Sequence, residues 1–346
     1  MLAVPVLLKA STTLRPLKPG PNALASIHPL ARFGDRLKLP LIAAPMFLVS
    51  GIDLVVAACC NGVIGAFPTV NCRNPDELER WLVAIEARLD RHGNARGAAP
   101  APFCPNLVVH RSNARLEQDL AVLLQHRPEL VITSVGSPAR VVGPLHDAGA
   151  MVLADVASLR HAERAVAAGA DGLVLLTAGA GGQTGWLNPF AFVRAVRAFF
   201  DGPIVLAGGI SDGHALRAAE VLGCDMAYMG TKFIATRESM ADARYKAMLV
   251  EASADDVLLT TAFTGLATNM LRPSILAAGL DPDDLPERGA IDIGKDIDIG
   301  ARDARPARWR DIWSAGHSIS GVADVPSVEQ LVARTIAEYR AALTLR

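Results

Sequence analysis

The chain of 346 residues reads as a single (β/α)8 barrel, the TIM-barrel architecture, followed by a small C-terminal appendage of helix and loop. Three observations predict this. Short apolar runs alternate with helical stretches from Leu39 to Lys232 with no linker or composition break between them, the pattern of a parallel sheet covered by helices. The composition, 51% apolar but only 5% aromatic, suits a large core of Ala-, Val- and Leu-rich strands buried on both faces. The last two strand runs each stop abruptly at glycine, and in such barrels the loops after the last two strands commonly hold a phosphate.

Residues 1–22 are expected to form an N-terminal edge segment. The apolar opening Met1 to Leu8 is broken by Pro5 and is too short to span a bilayer, and Pro16, Pro19 and Pro21 mark a loop-like lead-in. The barrel is placed at 23–250. Leu39 to Ala44 is its first buried strand, ended by Pro45-Met46, and Asp53 to Cys60 is a short helix. Gly62 to Phe67 is the second strand, Pro75 to Leu89 an amphipathic helix, and the Gly-, Ala- and Pro-rich stretch His92 to Pro102 a loop. Asn106 to Val109 is the third strand, with a helix from Asn113 to His126. Leu130 to Val135 is the fourth, closed by Gly136 and Ser137, with a helix to His146. Met151 to Asp155 is the fifth, followed by a helix from Ser158 to Ala168. Gly172 to Leu176 is the sixth, leading through the loop Gly179 to Gly185 into a helix from Pro189 to Phe200. Pro203 to Ala207 and Ala227 to Met229 complete the eight, with a helix from His214 to Gly223 between them. Residues 251–346 are expected to cover the barrel mouth, with helical stretches at Leu258 to Leu280 and Val328 to Leu345 around an Asp-, Pro- and Gly-rich segment from Asp281 to Pro306.

The formal net charge of -1 gives no electrostatic case for nucleic acid or an anionic membrane as partner. The five cysteines, Cys59, Cys60, Cys72, Cys104 and Cys224, form neither a CxxC pair nor a zinc spacing, so no metal is expected and a reducing cytoplasm is the simplest location.

The chemistry gathers at three glycine clusters. At Ala207-Gly208-Gly209 and at Met229-Gly230-Thr231 the backbone can approach a ligand that side chains would exclude, as phosphate-gripping loops require. The loop Gly179-Ala180-Gly181-Gly182-Gln183-Thr184-Gly185 follows a strand and leads to a helix, with Asp201 at about the distance of a ribose-binding acid. The dinucleotide fingerprint nevertheless fails at Thr184, where its third glycine should stand.

Taken in order, Ala44-Pro45-Met46, Asn106-Leu107, Gly181 to Gly185, Ala207-Gly208-Gly209 with Asp212-Gly213, Met229 to Phe233 with Ala235-Thr236, and Ile312 to Gly316 resemble the motifs of the nitronate monooxygenases, formerly 2-nitropropane dioxygenases. The resemblance covers nearly the whole chain and implies an FMN-containing barrel. It implies that Pro45, Met46 and Phe47 lie beside the isoalloxazine ring, that Asn106 is within hydrogen-bonding reach of it, and that Gly181 and Gly182 line its edge. Ala207, Gly208, Gly209, Gly230 and Thr231 would hold the ribityl phosphate, and Asp155, where some relatives carry lysine, would bond a neighbouring loop or the flavin. Trp186 is a candidate wall of the pocket, and Ser134 a weaker candidate at the end of the fourth strand.

One departure bears on the reaction. The family's glycine loop usually reads Gly-Gly-His, and its histidine is the candidate base; here that position is Gln183. An amide donates and accepts hydrogen bonds but takes no proton near neutral pH. His317 and His110 are the candidates to replace it. A nitronate is already an anion, so the leading expectation is FMN-dependent oxidation of alkyl nitronates such as propionate 3-nitronate with O2, giving a carbonyl compound and nitrite or related nitrogen oxides. Two alternatives stay open: NAD(P)H-dependent reduction of a quinone or an enoyl thioester on the same flavin, and flavin binding without turnover. NAD(P)H and a second copy of the chain are the further candidate partners.

Overall fold

The computed structural model describes residues 29–285 and 311–345; the edge segment 1–22, its proline-rich lead-in and residues 286–306 of the polar stretch lie outside them. Eight parallel strands close into a barrel: β1 (Leu41–Ala43), β2 (Ile64–Pro68), β3 (Phe103–Val108), β4 (Leu130–Ser134), β5 (Met151–Val156), β6 (Gly172–Leu176), β8 (Ile204–Ala207) and β9 (Met226–Met229). β9 pairs back onto β1 with Leu41 opposite Ala227, which closes the ladder. β7 (Gly182–Gln183) is a two-residue strand outside the barrel.

The pleat explains why the strand runs are almost wholly apolar. Ile42, Ile64, Ile132, Leu153, Val174 and Val205 point inward and fill the barrel, while Leu41, Leu173, Leu175, Ile204 and Leu206 point outward against the helices. Phe33, fully buried in the short helical segment Pro29–Arg36, plugs the interior at the end where the strands begin. Arg36 fixes that segment through paired hydrogen bonds of 2.9 and 2.8 Å to Glu129.

The outer helices follow the expected order: α1 (Ile52–Cys60), α2 (Pro75–Arg96), α3 (Leu116–His126), α4 (Val142–Asp147), α5 (Leu159–Ala167), α6 (Pro189–Arg197) and α7 (Gly213–Leu222). Asn74, Ser158, Asn188 and Asp212 each accept a first-turn backbone N–H, which sets where four of them begin. α2 runs on past Leu89 to Arg96, shortening the expected loop, because the left-handed residue that ends it is Gly97 at φ 66° rather than an earlier glycine. Directly after β9 come two short helices, α8 (Thr231–Ile234) and α9 (Ala243–Glu251). The outer ring is completed instead by the C-terminal helix Val328–Leu343, started by a Ser327/Gln330 capping box and packed on α7 and α1.

The stretch Leu258 to Leu280 departs from the helical expectation. It folds into an antiparallel hairpin, β10 (Val257–Thr260) and β11 (Thr268–Leu271), and only Arg272–Ala277 is helical, as α10. The local chemistry accounts for this. Gly265 takes φ 75° at the bend, and the Thr264 hydroxyl bonds Thr268 at 3.0 Å and Leu266, so threonines that compete with helical hydrogen bonding stitch a turn. The other edge of β11 receives β7, with Thr268 opposite Gln183 and Asn269 opposite Gly182. The glycine loop is thereby pinned to the hairpin.

All five cysteines are free thiols, and no helix of the described residues is long and apolar enough to cross a membrane.

α7 and the C-terminal helix meet backbone to backbone at Gly213. A Cβ there would lie 2.1 Å from the Tyr339 nitrogen and 2.5 Å from the Thr335 oxygen, and the Gly213 N–H itself donates to Glu338 at 3.0 Å. Gly213→Ala is therefore expected to push the C-terminal helix off the ring, at a cost of roughly 2 kcal/mol or more, read as a lowered midpoint in chemical denaturation. An unchanged midpoint would mean that this contact does not hold the ring closed.

Candidate active site

A cavity of about 250 Å3 opens at the end of the barrel where the strands finish. Its floor is the uppermost inward-facing layer of the strands. Asn106 follows Cys104 on β3, Ser134 follows Ile132 on β4, Asp155 follows Leu153 on β5 and Tyr228 follows Met226 on β9, each two residues on and so on the same inward face. The apolar filling of the barrel thus ends in a polar layer. The Ser134 hydroxyl donates to the Asn106 amide oxygen at 3.0 Å, which leaves the amide nitrogen as the unengaged end of that side chain. That nitrogen, one carboxyl oxygen of Asp155 and the Tyr228 hydroxyl are all shielded from solvent and have no hydrogen-bond partner among the described residues.

One wall is the loop from Ala44 to Ser50, which brings Pro45, Met46 and Phe47 to the cavity. Its shape comes from buried Asn71 and Ser50. Asn71 accepts the Leu48 N–H at 2.9 Å and donates to the Met46 and Ser50 carbonyls, while Ser50 bonds the Met46 N–H and the Ala44 carbonyl. These bonds hold Leu48 at φ 58°, a left-handed conformation that non-glycine residues seldom adopt. Val135, also in the lining and at the end of β4, sits at φ 56°.

Beside that loop, where β9 pairs with β1, stands the double glycine cradle. Ala207, Gly208, Gly209, Gly230 and Thr231 all line the cavity. Gly208 is required by crowding, since a Cβ would stand 2.5 Å from the Thr177 hydroxyl; Gly209, at φ 76°, has open space where its Cβ would be. The backbone N–H groups of Gly209, Gly230 and Thr231 donate to no acceptor among the described residues. The Thr231 hydroxyl accepts the Gly316 N–H at 3.0 Å, leaving its hydrogen free. At the N-terminus of α7 the Gly213 and Ala215 N–H groups already donate to Glu338 and Asp212.

The glycine loop after β6 closes a third side, with Gly179, Gly181, Gly182 and Gln183 all lining the cavity. Most of its glycines, however, answer to chain packing. A Cβ on Gly181 would lie 2.7 Å from the Gly316 nitrogen, and one on Gly316 would lie 2.6 Å from the Gly179 oxygen. The tail after Ile312 lies directly on the loop, with the His317 N–H donating to the Gly179 carbonyl at 2.9 Å, and Asn269 holds the Ala180 carbonyl at 2.7 Å.

The tail and α9 also supply the aromatic wall. Tyr245 and Trp313 stack with centroids 5.0 Å apart and planes 8° from parallel, and the Tyr245 hydroxyl donates to the Ser314 carbonyl. Trp186, expected here, is instead 76% exposed and takes no part in the lining. It belongs to the outer turn after Gly185, whereas Trp313 is carried inward by the Leu271 and Ser274 hydrogen bonds to its backbone.

The two candidate histidines do not reach the cavity. His110 bonds Ser112 at 2.7 Å beyond the end of β3, and His317 lies exposed against the far side of Gly179. His110 lies two residues past the end of β3, and His317 lies between Ser314 and Ser318, which line the cavity while its own ring rests against Gly179. Tyr228 and Tyr245 were missed; the inward parity of Met226 and Tyr228 was the available signal for the first, while the second is delivered by a helix whose placement depends on the tail.

No Lys, Arg or His is among the described residues lining the cavity. Burial pushes the Asp155 carboxyl up to about 8, and burial, with the nearby Asp155 charge as a smaller cause, pushes the Tyr228 hydroxyl well above its ordinary value.

A closed parallel barrel with its polar cavity at the strand C-termini defines the class: a (β/α)8-barrel enzyme. Comparison with known proteins supplies the family. The nitronate monooxygenase family model matches residues 34–338. A nitronate monooxygenase of Paraburkholderia phytofirmans is 28% identical, with 87% of this chain and 92% of that protein covered, and one of Pseudomonas aeruginosa is 32% identical, with 66% and 75% covered. Among solved structures, nitroalkane oxidase of Streptomyces ansochromogenes (TM-score 0.75, 23% identity, 91% and 99% covered) and FabK of Thermotoga maritima (TM-score 0.72, 22% identity, 91% and 96% covered) share the fold. The chain belongs to the nitronate monooxygenase family and is an oxidoreductase.

The raised Asp155 carboxyl has a measurable cost. Its ordinary value is 3.8, so between about pH 4 and pH 8 the unfolded chain loses this proton while the folded protein keeps it, and stability falls across that window. Asp155→Asn is expected to stabilise the ligand-free protein by as much as about 4 kcal/mol at pH 7 and to give no gain at pH 4, read from denaturation midpoints. An equal gain at both pH values would mean that ionisation is not the source.

Proposed function

We propose that the cavity binds FMN and that the enzyme oxidises alkyl nitronates, with propionate 3-nitronate the first to try, using O2 and releasing a carbonyl compound and nitrite or related nitrogen oxides. The observation that carries the cofactor reading is the set of backbone donors without acceptors among the described residues at Gly209, Gly230 and Thr231, with open space at Gly209, above a floor whose Asn106, Asp155 and Tyr228 atoms lack partners there. The cradle suits a phosphate, because N–H groups aimed at a space without side chains are what an anion needs. The floor suits a ring bearing hydrogen-bonding atoms at its edge. Bound FMN would supply the electron acceptor.

The chain's own residues position and exclude. Met46 offers a polarizable face for an aromatic ring, while Tyr245 and Trp313 form an apolar wall that limits water. Gln183 can donate a hydrogen bond to a nitronate oxygen but abstracts no proton, which favours a substrate already ionised over a neutral nitroalkane. The absence of any cationic side chain in the described lining favours the second reading, NAD(P)H-dependent reduction of a neutral quinone or enoyl thioester, which asks for no anion site beyond the phosphate cradle. The free thiols and the absence of a membrane-crossing helix in the described residues suit a cytoplasmic enzyme.

Anaerobic mixing of the FMN-loaded enzyme with propionate 3-nitronate is expected to change the visible absorption of the bound cofactor. If that spectrum is unaltered and NADH or NADPH bleaches it, the reductase reading replaces this one. Gly209→Leu should lower FMN retention at least about tenfold with the circular dichroism preserved, since the side chain enters the open space of the cradle; undiminished retention would remove the loop from the site. Gln183→His should raise turnover of a neutral nitroalkane relative to its nitronate by about tenfold or more, and an unaltered ratio would mean that position 183 does not face the substrate.

A further inference from the structure

The cavity floor is unusual in what it leaves unpaired. Asn106, 4% exposed, presents its amide N–H2, because its oxygen is engaged by Ser134. Tyr228, 7% exposed, presents its hydroxyl. Between these two donors stands Asp155, whose carboxyl makes no hydrogen bond within the described residues and has no cationic partner in the cavity. As a carboxylate it would be an unpaired charge in an apolar barrel, and it would be the one acceptor in a set of donors. As an acid it is a third donor aimed at the same space.

We propose that Asp155 holds bound FMN as a neutral carboxylic acid, donating its O–H alongside the Asn106 amide and the Tyr228 hydroxyl to acceptor atoms of the isoalloxazine ring, so that cofactor retention weakens when this acid ionises. The inference rests on the FMN reading above and extends it to a pH dependence.

The other titratable groups that face Asp155 leave it alone in the relevant range. Tyr228 on β9 and Cys104 on β3 are both pushed well above their ordinary values by burial first and by the Asp155 charge second, and burial pushes Tyr245 on α9 up as well. All three remain protonated at neutral pH. With no Lys, Arg or His in the described lining, Asp155 is the one group there placed to change charge near neutrality. A neutral donor and its ionised form differ in kind toward an acceptor: the first makes a hydrogen bond, and the second brings a negative charge against its lone pairs. By linkage, a ligand that requires the protonated form loses affinity by up to tenfold for each pH unit above the ionisation.

The test is fluorescence titration of FMN with the cofactor-free protein from pH 6.5 to pH 9.5. The wild type is expected to bind with a nearly constant Kd at the acidic end and a Kd that rises above about pH 8 towards tenfold per unit. Asp155→Asn, which keeps an N–H donor and cannot ionise, is expected to bind within about threefold of the wild type at pH 7 and to share only the slope that FMN's own ionisation gives. Tyr228→Phe should bind more weakly yet keep the wild-type slope. A wild-type profile that is flat, or an Asp155→Asn profile that rises as the wild type does, overturns the inference while leaving the FMN reading standing. Failure to bind FMN at any pH removes both. Should Asp155→Asn fail to fold, judged by near-ultraviolet circular dichroism, the wild-type and Tyr228→Phe slopes decide the matter alone.

Discussion

Closure of the barrel is the constraint on which the rest of this molecule depends. Pairing β9 back onto β1 leaves no sheet edge and encloses an interior that side chains must fill. On four strands the inward line turns from apolar to polar at the cavity: Leu130 and Ile132 before Ser134, Met151 and Leu153 before Asp155, Cys104 before Asn106, and Met226 before Tyr228. The candidate site is where the filling stops. Its polar floor belongs to the same ladder register that holds the strands together, so floor and fold are positioned by one set of hydrogen bonds.

That origin explains what was legible in the sequence. Strand order and the glycine-ended loops at Gly208-Gly209 and Gly230 follow from local pattern, because a strand end in a parallel barrel faces the site by construction, whereas Pro45, Met46, Phe47 and Asn106, which line the same cavity, are indicated by the family resemblance. Features set by contacts distant in sequence were not legible. The run from Leu258 has apolar residues enough for a helix, yet it forms a hairpin whose outer edge accepts Gly182–Gln183, some eighty positions earlier in the chain. The glycine loop shows the same distance effect. Gly181 and Gly316 are small because two backbones touch there, a reason that neither segment reveals alone. His110 and His317 failed as site residues for a simpler cause: proximity in sequence to a motif does not fix which way a ring points.

The cavity that results is short of charge. Family membership brings the expectation of a histidine, and its replacement by Gln183 leaves the described lining with one carboxyl and two buried phenols as its titratable groups. Such a surface binds by shape and by hydrogen-bond donors more than by ion pairing. Asp155 without a partner is a local conflict with the apolar barrel around it, of the sort that active sites maintain at the expense of stability.

The tail laid across the glycine loop has one further consequence. The cradle and the polar floor belong to residues before 232, whereas Tyr245, Thr264, Trp313, Ser314 and Ser318 come from the chain after the last barrel strand. The enclosure is therefore built in two instalments that can change independently. Exchanging residues 245–318 for those of another barrel, with Gly316 and the ring-completing helix Val328–Leu343 kept, would alter the shape of the entrance and leave the strand ladder untouched. In this molecule the outline of the entrance and the strand ladder are written in separate parts of the chain, and the last helix alone serves the ring from the later part.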